Sequence, residues 1–162
     1  MSVAKRVREY LEENQVPYIH CTHRLAYTAQ EIAAAQHIPG REMAKTIVVK
    51  AEGRFVLVIL PAVLKLEMKA LREELPFRHV ELASEKEFAG LFPDCEVGAM
   101  VPFGNLYNLP VYVDRSLSAD EEIVFNAGTH IDTIKMKYKD FERLVNPEKI
   151  SAAIPNELAT GQ

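Results

Sequence analysis

The sequence predicts one mixed α/β domain whose sheet contains both hairpins and strands joined by helices. The chain has 162 residues, of which 48% are hydrophobic and 26% are charged, a balance typical of a globular domain. Strand-like apolar segments interleave with segments of helical periodicity, and some neighbouring strands are separated only by short turns. A doubly wound parallel sheet lacks such hairpins. We therefore expect a single domain over residues 1–150 and a flexible tail over residues 151–162.

The N-terminal part is predicted to form a helix, a strand and a second helix. Apolar residues share one helical face over Val3–Leu11, which predicts an amphipathic helix ending near Asn14. VPYIHCTH, residues 16–23, follows as a short strand. Thr28–Glu31 has the S/T-x-x-E form of a capping box, which predicts a helix that is stopped by Pro39-Gly40.

The middle of the chain is predicted to form a buried hairpin, two helices and a short strand. KTIVVK (45–50) and RFVLVILP (54–61) are nearly continuous apolar runs, typical of strands buried on both faces. Leucine and methionine recur at helical spacing in LKLEMKALREEL, which predicts a helix over residues 64–75. RHVEL (78–82) is predicted as a strand. SEKEFAGLF is predicted as a short helix with Ser84 as its N-cap.

The last part is predicted to add strands and a closing helix. PVYVD (110–114) is typical of a strand. EEIVFNAG and HIDTIKM are predicted as two strands around a tight turn at Ala127-Gly128. YKDFERLV (138–145) has the pattern of a helix that closes the domain.

Composition and charge exclude several classes of function. A net charge of -4 argues against tight, autonomous binding to long nucleic acid, DNA included, but permits a site that grips only an end. Two cysteines are too few for a disulfide framework. The N-terminus lacks the apolar region of a signal peptide, and no apolar run is long enough to span a membrane. GxGxxG and GxxxxGK[ST] phosphate motifs are absent. We expect a soluble, cytoplasmic protein.

Lys45 is a candidate site residue because it opens a strand that is otherwise apolar. A charge at the start of a buried strand costs free energy unless it has a partner. It can point into a pocket and hold an anion or a carbonyl group. It can also be an ordinary solvated lysine at a strand end, and the pattern alone favours that simpler interpretation.

The loop VGAMVPFGN, Val97–Asn105, is unusual because it is rigid and has no reactive side chain. Glycine permits positive φ and close approach of a ligand, and proline stiffens the turn. The motif Gly98–Pro102, followed by Phe103-Gly104, can therefore hold peptide N–H groups toward a carbonyl or carboxylate oxygen. An isolated motif of this kind is more often a plain turn.

Histidines and cysteines provide further candidates, each with a simpler explanation. His20, Cys21 and His23 are zinc-ligand types, but adjacent strand residues point to opposite faces, so we favour packing or surface roles. Cys21 and Cys95 have no visible Cys-His-Asn arrangement and are predicted to be small buried residues. His130 is either an acid–base or hydrogen-bonding group in a pocket, or ordinary surface.

The order of these motifs resembles the family of YbaK and prolyl-tRNA-synthetase-associated (INS-type) aminoacyl-tRNA editing domains. The resemblance spans about residues 16–145 and rests on TAQEIAAAQHIPGREMAKTIVVK, LKLEMKALREEL, VGAMVPFG, LPVYVDRSL, FNAGTH and KDFERLV. The KT dipeptide before an apolar strand and the G-x-x-x-P-x-G loop are its most specific parts. It implies a partly barrel-like sheet with flanking helices. The implied activity is metal- and cofactor-independent hydrolysis of mischarged aminoacyl-tRNA in trans, with tRNA-Pro the expected substrate.

The resemblance also implies the roles of individual residues. Lys45 would anchor the 3′-terminal adenosine, and Gly98 and His130 would complete the catalytic set. The loop would hold the aminoacyl group through its backbone, and the substrate's ribose hydroxyl would assist the attack of water. The implied substrate-binding residues are Thr28, Thr46, Ala99, Met100, Val101, Pro102, Phe103, Gly104, Asn126 and Gly128.

Some positions depart from the family pattern. Val101 stands where YbaK-like members often carry serine, and Asn126-Ala127-Gly128 replaces a serine or glycine pair. His130 matches the histidine of the synthetase-inserted domains less securely. An apolar loop predicts a pocket that selects the amino acid by size, and a methylene is worth only about 1–3 kcal/mol in such a pocket.

Two alternatives to a free-standing hydrolase follow from the same residues. A non-catalytic module of this fold would bind an amino-acid-like or nucleotide-like ligand without turnover, and a thiol or metal protein would depend on HCTH. For an editing enzyme, the acidic charge predicts that affinity for tRNA is supplemented by prolyl-tRNA synthetase or another tRNA-bound partner.

Overall fold

The computed structural model describes residues 3–22 and 41–155. Within these ranges the α-helices are α1 (Val3–Glu13), α2 (Met68–Glu74), α3 (Glu85–Phe88), α4 (Arg115–Ser118) and α5 (Tyr138–Val145), and short 3-10 helices occupy Ala89–Leu91 and Gly104–Leu106. The strands are β1 (Tyr18–Thr22), β2 (Ala44–Ala51), β3 (Arg54–Pro61), β4 (Leu64–Leu66), β5 (Val80–Leu82), β6 (Val111–Asp114), β7 (Glu122–Asn126), β8 (Asp132–Lys137), β9 (Glu148–Ile150) and β10 (Ala153–Pro155). No helix in the described ranges is long and apolar enough to cross a membrane.

The strands form a mixed architecture, as predicted. A five-stranded sheet has the order β5-β2-β3-β6-β9, in which β2 pairs antiparallel with β3 and β5, while β6 pairs parallel with β3 and β9. An antiparallel sheet has the order β1-β8-β7, and β4 pairs with β10. The mixed α/β class with flanking helices is therefore confirmed.

The two larger sheets meet at the start of β2, which gives the fold its partly barrel-like form. Met43 and Val124 form a parallel bridge, and the Val124 N–H donates to the Glu42 carbonyl at 2.9 Å. The described strands do not close into a full barrel. The junction places Lys45, near the start of β2, and Asn126, at the end of β7, each two residues beyond a bridged position.

The β2–β3 hairpin is buried on both faces because its alternate residues enter two separate cores. Val48, Leu57 and Ile59 belong to the core that also contains α5 and the loop before β6. Val49 and Val58 belong to the core that is covered by α2. Residues 52 and 53, in the turn, both have positive φ, the geometry of a tight hairpin turn. The predicted hairpin, with its continuous apolar strands, is confirmed.

One predicted helix begins later than its periodicity indicates. We expected a helix over residues 64–75, whereas residues 64–66 form β4 and the helix begins at Met68. β4 pairs antiparallel with β10, in the register Lys65↔Ile154. Backbone pairing with a distant strand outweighs helix propensity here, because propensity is a weak local preference.

The C-terminal segment is more ordered than the sequence indicates. The domain boundary at residue 150 stays a prediction, but Ala153–Pro155 forms β10 rather than frayed chain. Asp114 holds the preceding turn, because its carboxylate accepts hydrogen bonds from the Ala152 and Ala153 N–H groups at 2.9 and 3.1 Å. These hydrogen bonds hold the segment before β10 in place, and the composition of the segment gives no sign of them.

Other local predictions agree with the structure where it describes them. The N-terminal helix ends at Glu13, and the Ser84 capping box is present, with Glu87 as its partner. The helix predicted to begin at Thr28 lies outside the described residues.

Candidate active site

Lys45 lines a pocket between β2, β4, α2 and β5. The cavity has a volume of about 400 Å³, and the described residues that line it are Lys45, Ile47, Lys65, Leu66, Met68 and Leu82. Lys45 is half-buried, and desolvation by burial lowers the pKa of its ammonium group. Among the described residues, no carboxylate forms an ion pair with Lys45 or Lys65. The pocket is therefore cationic with an apolar lining.

The predicted glycine loop has the backbone geometry that its sequence requires. Gly98 has a φ of +88°, a left-handed conformation that favours glycine. A Cβ atom at this position would lie 3.3 Å from Cε1 of His130, so the ring sits directly against the glycine. Both the backbone and the available space therefore favour glycine here.

A clamp of three hydrogen bonds holds this loop to the β7–β8 turn. The Glu96 N–H donates to the Gly128 carbonyl at 2.8 Å, and the His130 N–H donates to Glu96 Oε1 at 2.7 Å. His130 Nε2 lies 2.9 Å from the Val97 carbonyl oxygen. Because a carbonyl can only accept, the hydrogen is on Nε2. We call this set of contacts the loop clamp.

The backbone N–H groups of the loop differ in how firmly they are bound. The Ala99 N–H donates to the Glu96 carbonyl at 3.0 Å. The Gly98 N–H has only the Met100 thioether sulfur, at 3.2 Å. A thioether is a weak acceptor. Of these two donors, the Gly98 N–H can more readily exchange its partner for a substrate oxygen.

Several residues predicted to bind substrate are placed in the core behind the loop. Ala99, Val101 and Phe103 are fully buried, and Met100 and Pro102 are also buried. The Phe103 ring packs edge-on against three other aromatic rings, at centroid distances of 5.4–5.8 Å: those of Tyr10, Phe125 and Phe141. These side chains pack behind the loop, and their assignment as substrate-binding residues stays a prediction.

Gly104 is also placed for packing. A Cβ atom there would lie 2.4 Å from the Leu109 carbonyl oxygen and 2.5 Å from Val111 Cγ2. Contacts this short exclude any side chain. The glycine at this position therefore permits the chain to fold back onto itself before β6, and its predicted contact with substrate stays a prediction.

The structure brings some predicted site residues together and separates others. Gly98, Gly128 and His130 meet at the loop clamp. Lys45 lies on the α2 side of β2, and no hydrogen bond between described residues joins it to the loop. Thr46 points to the opposite face of the strand from Lys45, because neighbouring strand residues alternate. Thr28 lies outside the described residues.

Asn126 is buried beyond the junction of β2 and β7. Its side chain is 7% exposed, and its Oδ1 atom has no hydrogen-bond partner among the described residues. A buried acceptor without a partner costs free energy. Its assignment as a substrate-binding residue stays a prediction.

Sequence reasoning missed Glu96, the acidic member of the loop clamp. Glu96 stands two residues before Gly98, and its hydrogen bond reaches His130, 34 residues away along the chain. The only local signal was an acidic residue directly before a glycine turn. Spacing alone gives no reason to join it to the β7–β8 turn.

A second missed group fixes the β7–β8 turn from its other side. His20 Nε2 lies 2.8 Å from Asp132 Oδ1, and Thr129 Oγ1 donates to Asp132 Oδ2 at 2.6 Å. Thr129 Oγ1 also accepts from the Ile131 and Asp132 N–H groups at 3.2 and 3.0 Å. His20 therefore supports the turn. His23 lies outside the described residues, and no group of three or more metal-ligand side chains is found within the ranges described.

Cys95 is placed as a half-buried structural thiol. Its Sγ atom lies 3.5 Å from the Tyr107 hydroxyl, and desolvation by burial raises the pKa of the thiol. Arg6 binds the neighbouring Asp94 at 2.9 Å and lies over the Tyr107 ring. A protonated thiol is a poor nucleophile. Cys95 is only half-buried, rather than buried as predicted, and its setting does not favour a nucleophilic role.

Comparison with known proteins adds a family to this geometry. The model of the aminoacyl-tRNA editing domain family matches residues 23–144, which include Lys45, the loop and His130. The chain belongs to the aminoacyl-tRNA editing domain family. Among curated proteins, the search finds no match.

Solved structures of editing-domain shape agree with the fold. A protein proposed as a trans-editing enzyme for prolyl tRNA synthetase is 20% identical, with a TM-score of 0.81 over 95% of this chain and 98% of its own. The hypothetical protein APE2540 is also 20% identical, with a TM-score of 0.82 over 91% of this chain and 99% of its own. At this identity the similarity shows a shared fold. The editing-domain family and fold predicted from the sequence are therefore confirmed.

Proposed function

We propose that this editing domain is a trans-acting hydrolase that removes the amino acid from mischarged tRNA, with tRNA-Pro as its substrate. The observation that carries the proposal is the Gly98 N–H, held by the loop clamp with only a weak thioether partner. A donor fixed in this way suits the oxygen that becomes negative when water attacks an ester. The half-buried Lys45 supplies the charge that anchors the nucleotide end.

The reaction needs no nucleophile from the protein. Water adds to the ester carbonyl carbon, the bond from that carbon to the ribose oxygen breaks, and a proton from water passes to the ribose oxygen. Free amino acid and deacylated tRNA result. The neighbouring ribose hydroxyl orients the water, while Gly98 stabilises the carbonyl oxygen. His130 holds the loop through Val97, so we treat it as a positioning residue.

The choice of tRNA-Pro has support from the fold and from the family resemblance. One structural neighbour is proposed to edit for prolyl tRNA synthetase, and the chain resembles domains associated with that synthetase. We propose that the protein acts in the cytoplasm, together with a tRNA-bound partner such as prolyl-tRNA synthetase. With a net charge of -4, the isolated chain is expected to bind whole tRNA weakly and with strong salt dependence.

The test is deacylation of tRNA-Pro charged separately with alanine, cysteine, serine and proline, each measured against spontaneous hydrolysis. We expect selective loss of one non-cognate amino acid. Lys45→Ala should abolish that activity in a folded protein. Lys69→Ala is the matched control, because Lys69 is exposed on α2 and does not line the pocket.

Three outcomes would contradict the proposal. Full activity in folded Lys45→Ala would remove the role given to the lysine. Saturable binding of aminoacyl-tRNA without turnover would indicate a binding module of the same fold. A preference for prolyl-tRNA-Pro would contradict an editing role.

A further inference from the structure

Lys65 places a second positive charge at the Lys45 pocket. It lies on β4, whose position is fixed by antiparallel pairing with β10, and its Cα is paired with Ile154. Its side chain is exposed and lines the same cavity as Lys45. Neither the family match nor the motifs of the sequence assign this lysine a role.

The pocket that the two lysines share lacks a balancing anion. No ion pair among the described residues involves either ammonium group, and burial already disfavours the charged form of Lys45. Because burial is what disfavours the charged form of Lys45, a bound anion would offset that cost. The electrostatics of the cavity therefore favour an anionic ligand.

The rest of the lining is apolar, which narrows the class of ligand. Ile47, Leu66 and Met68 line the pocket, and Leu82 beside them is 56% exposed, a large value for a leucine. An apolar surface next to paired cations fits a flat base attached to a phosphate. Bases stack or pack on such surfaces without hydrogen-bond readout.

The chemistry of an aminoacyl-tRNA end then identifies the anion. Its amino acid carries an ammonium group and an ester, so it has no free carboxylate. The anions near the reacting ester are the phosphates of the last nucleotides. A lysine binds phosphate well as a point charge.

We propose that Lys65 and Lys45 together bind the phosphodiester that joins the last two nucleotides of the acceptor end, with a base packed on Met68 and Leu82. This inference rests on the proposed function, because it assumes a tRNA end as ligand. Lys65 binds the nucleic acid and takes no part in the bond changes. Its loss therefore weakens binding and leaves the chemical step unchanged.

The test measures binding of the deacylated trinucleotide CCA over a series of salt concentrations. Lys65→Ala should weaken binding about fivefold, the upper range for an exposed ion pair. It should also lower the slope of log affinity against log salt by about 0.7, the value for one phosphate contact on a single strand. Lys65→Arg should retain the slope. Lys69→Ala removes the same charge nearby and should change neither quantity.

A neutral analogue localises the contact. CCA with a methylphosphonate in place of its last phosphodiester should bind wild type more weakly by more than the roughly fivefold loss expected for Lys65→Ala, because it loses its contacts with both lysines. Lys65→Ala should lose less affinity than wild type does when the methylphosphonate replaces the phosphodiester, because the Lys65 contact is already absent and only the Lys45 contact remains to be lost. In deacylation, Lys65→Ala should raise KM and leave kcat unchanged.

Failure of this inference can be distinguished from failure of the proposed function. Any of three results would overturn the subsite. Lys65→Ala and Lys69→Ala could weaken CCA binding equally, or the losses caused by Lys65→Ala and by the methylphosphonate could be fully additive. The third result is that CCA shows no measurable binding. If CCA binding responds as expected but no aminoacyl-tRNA is hydrolysed, the subsite stands and the hydrolase proposal fails.

Discussion

Replacing Gly98 with alanine tests whether the geometry of the loop governs activity. At a φ of +88°, a residue with a Cβ atom is strained by about 1–2 kcal/mol. For a chain of this length, that strain corresponds to a fall in Tm of about 2–8 °C. The new Cβ would also lie 3.3 Å from His130 Cε1, so the ring or the loop must move by a few tenths of an ångström.

Gly53→Ala is a matched control for this substitution. Gly53 lies in the β2–β3 turn with a φ of +79°, and a Cβ there would meet nothing within 4 Å. Both variants therefore bear a similar backbone strain, and only Gly98→Ala crowds the loop clamp. Their difference isolates the effect of crowding on the site.

The assay is kcat/KM for deacylation of the preferred mischarged tRNA, measured well below the Tm of both variants. A displacement of 1 Å at a catalytic group can cost about 100-fold, so a few tenths of an ångström should cost about three- to tenfold. We expect that loss in Gly98→Ala and less than a twofold change, roughly the error of such assays, in Gly53→Ala. Equal activity in the two variants would refute the role assigned to the loop.

Three further predictions concern the clamp, the pocket lysine and the half-buried thiol. Glu96→Ala should lower deacylation because it removes the acceptor of the His130 N–H, whereas Glu96→Gln should retain most activity; equal loss in both would show that charge matters rather than the hydrogen bond. Lys45→Met should abolish activity without lowering the Tm at pH 7, because burial disfavours the lysine charge in the folded state. The same lowered pKa makes the stability of the wild type depend on pH. Between the pKa of Lys45 in the folded protein and 10.5, the unfolded chain binds more protons, so the free energy of unfolding should rise with pH. Thermal denaturation at several pH values should show this rise in wild type and not in Lys45→Met. Cys95 should react with iodoacetamide at pH 7.5 more slowly than free cysteine, because burial raises the pKa of its thiol, and Cys95→Ala should keep deacylation activity; rapid alkylation with loss of activity would contradict this assignment.

The fold could be predicted wherever burial leaves a local pattern. Both faces of the β2–β3 hairpin enter cores, so its strands are continuously apolar and easy to recognise. β4 could not be recognised, because Leu64–Leu66 is a strand only through pairing with β10 nearly ninety residues later. Its leucines fit the helical spacing of α2 equally well.

Residues of the candidate site were likewise predictable only where a local sequence pattern encodes them. Gly98 was identified because a positive φ demands a particular residue type, which a sequence displays directly. Phe103 and Val101 were predicted to contact substrate, but their neighbours in space place them in the core. The partnership of Glu96 with His130 depends on a contact across 34 residues, which no local pattern encodes.

The distribution of charge links the fold to the way this domain would meet tRNA. A net charge of -4 repels a polyanion at long range, whereas the pocket beside β2 gathers two lysines without a described acidic partner. Attraction would therefore act only once the acceptor end has entered the pocket, within roughly the 8 Å screening length at physiological salt. Such a domain selects the exposed 3′ end of a tRNA over its helical body. If the proposed function is correct, another tRNA-bound protein such as a synthetase would raise the local concentration of that end.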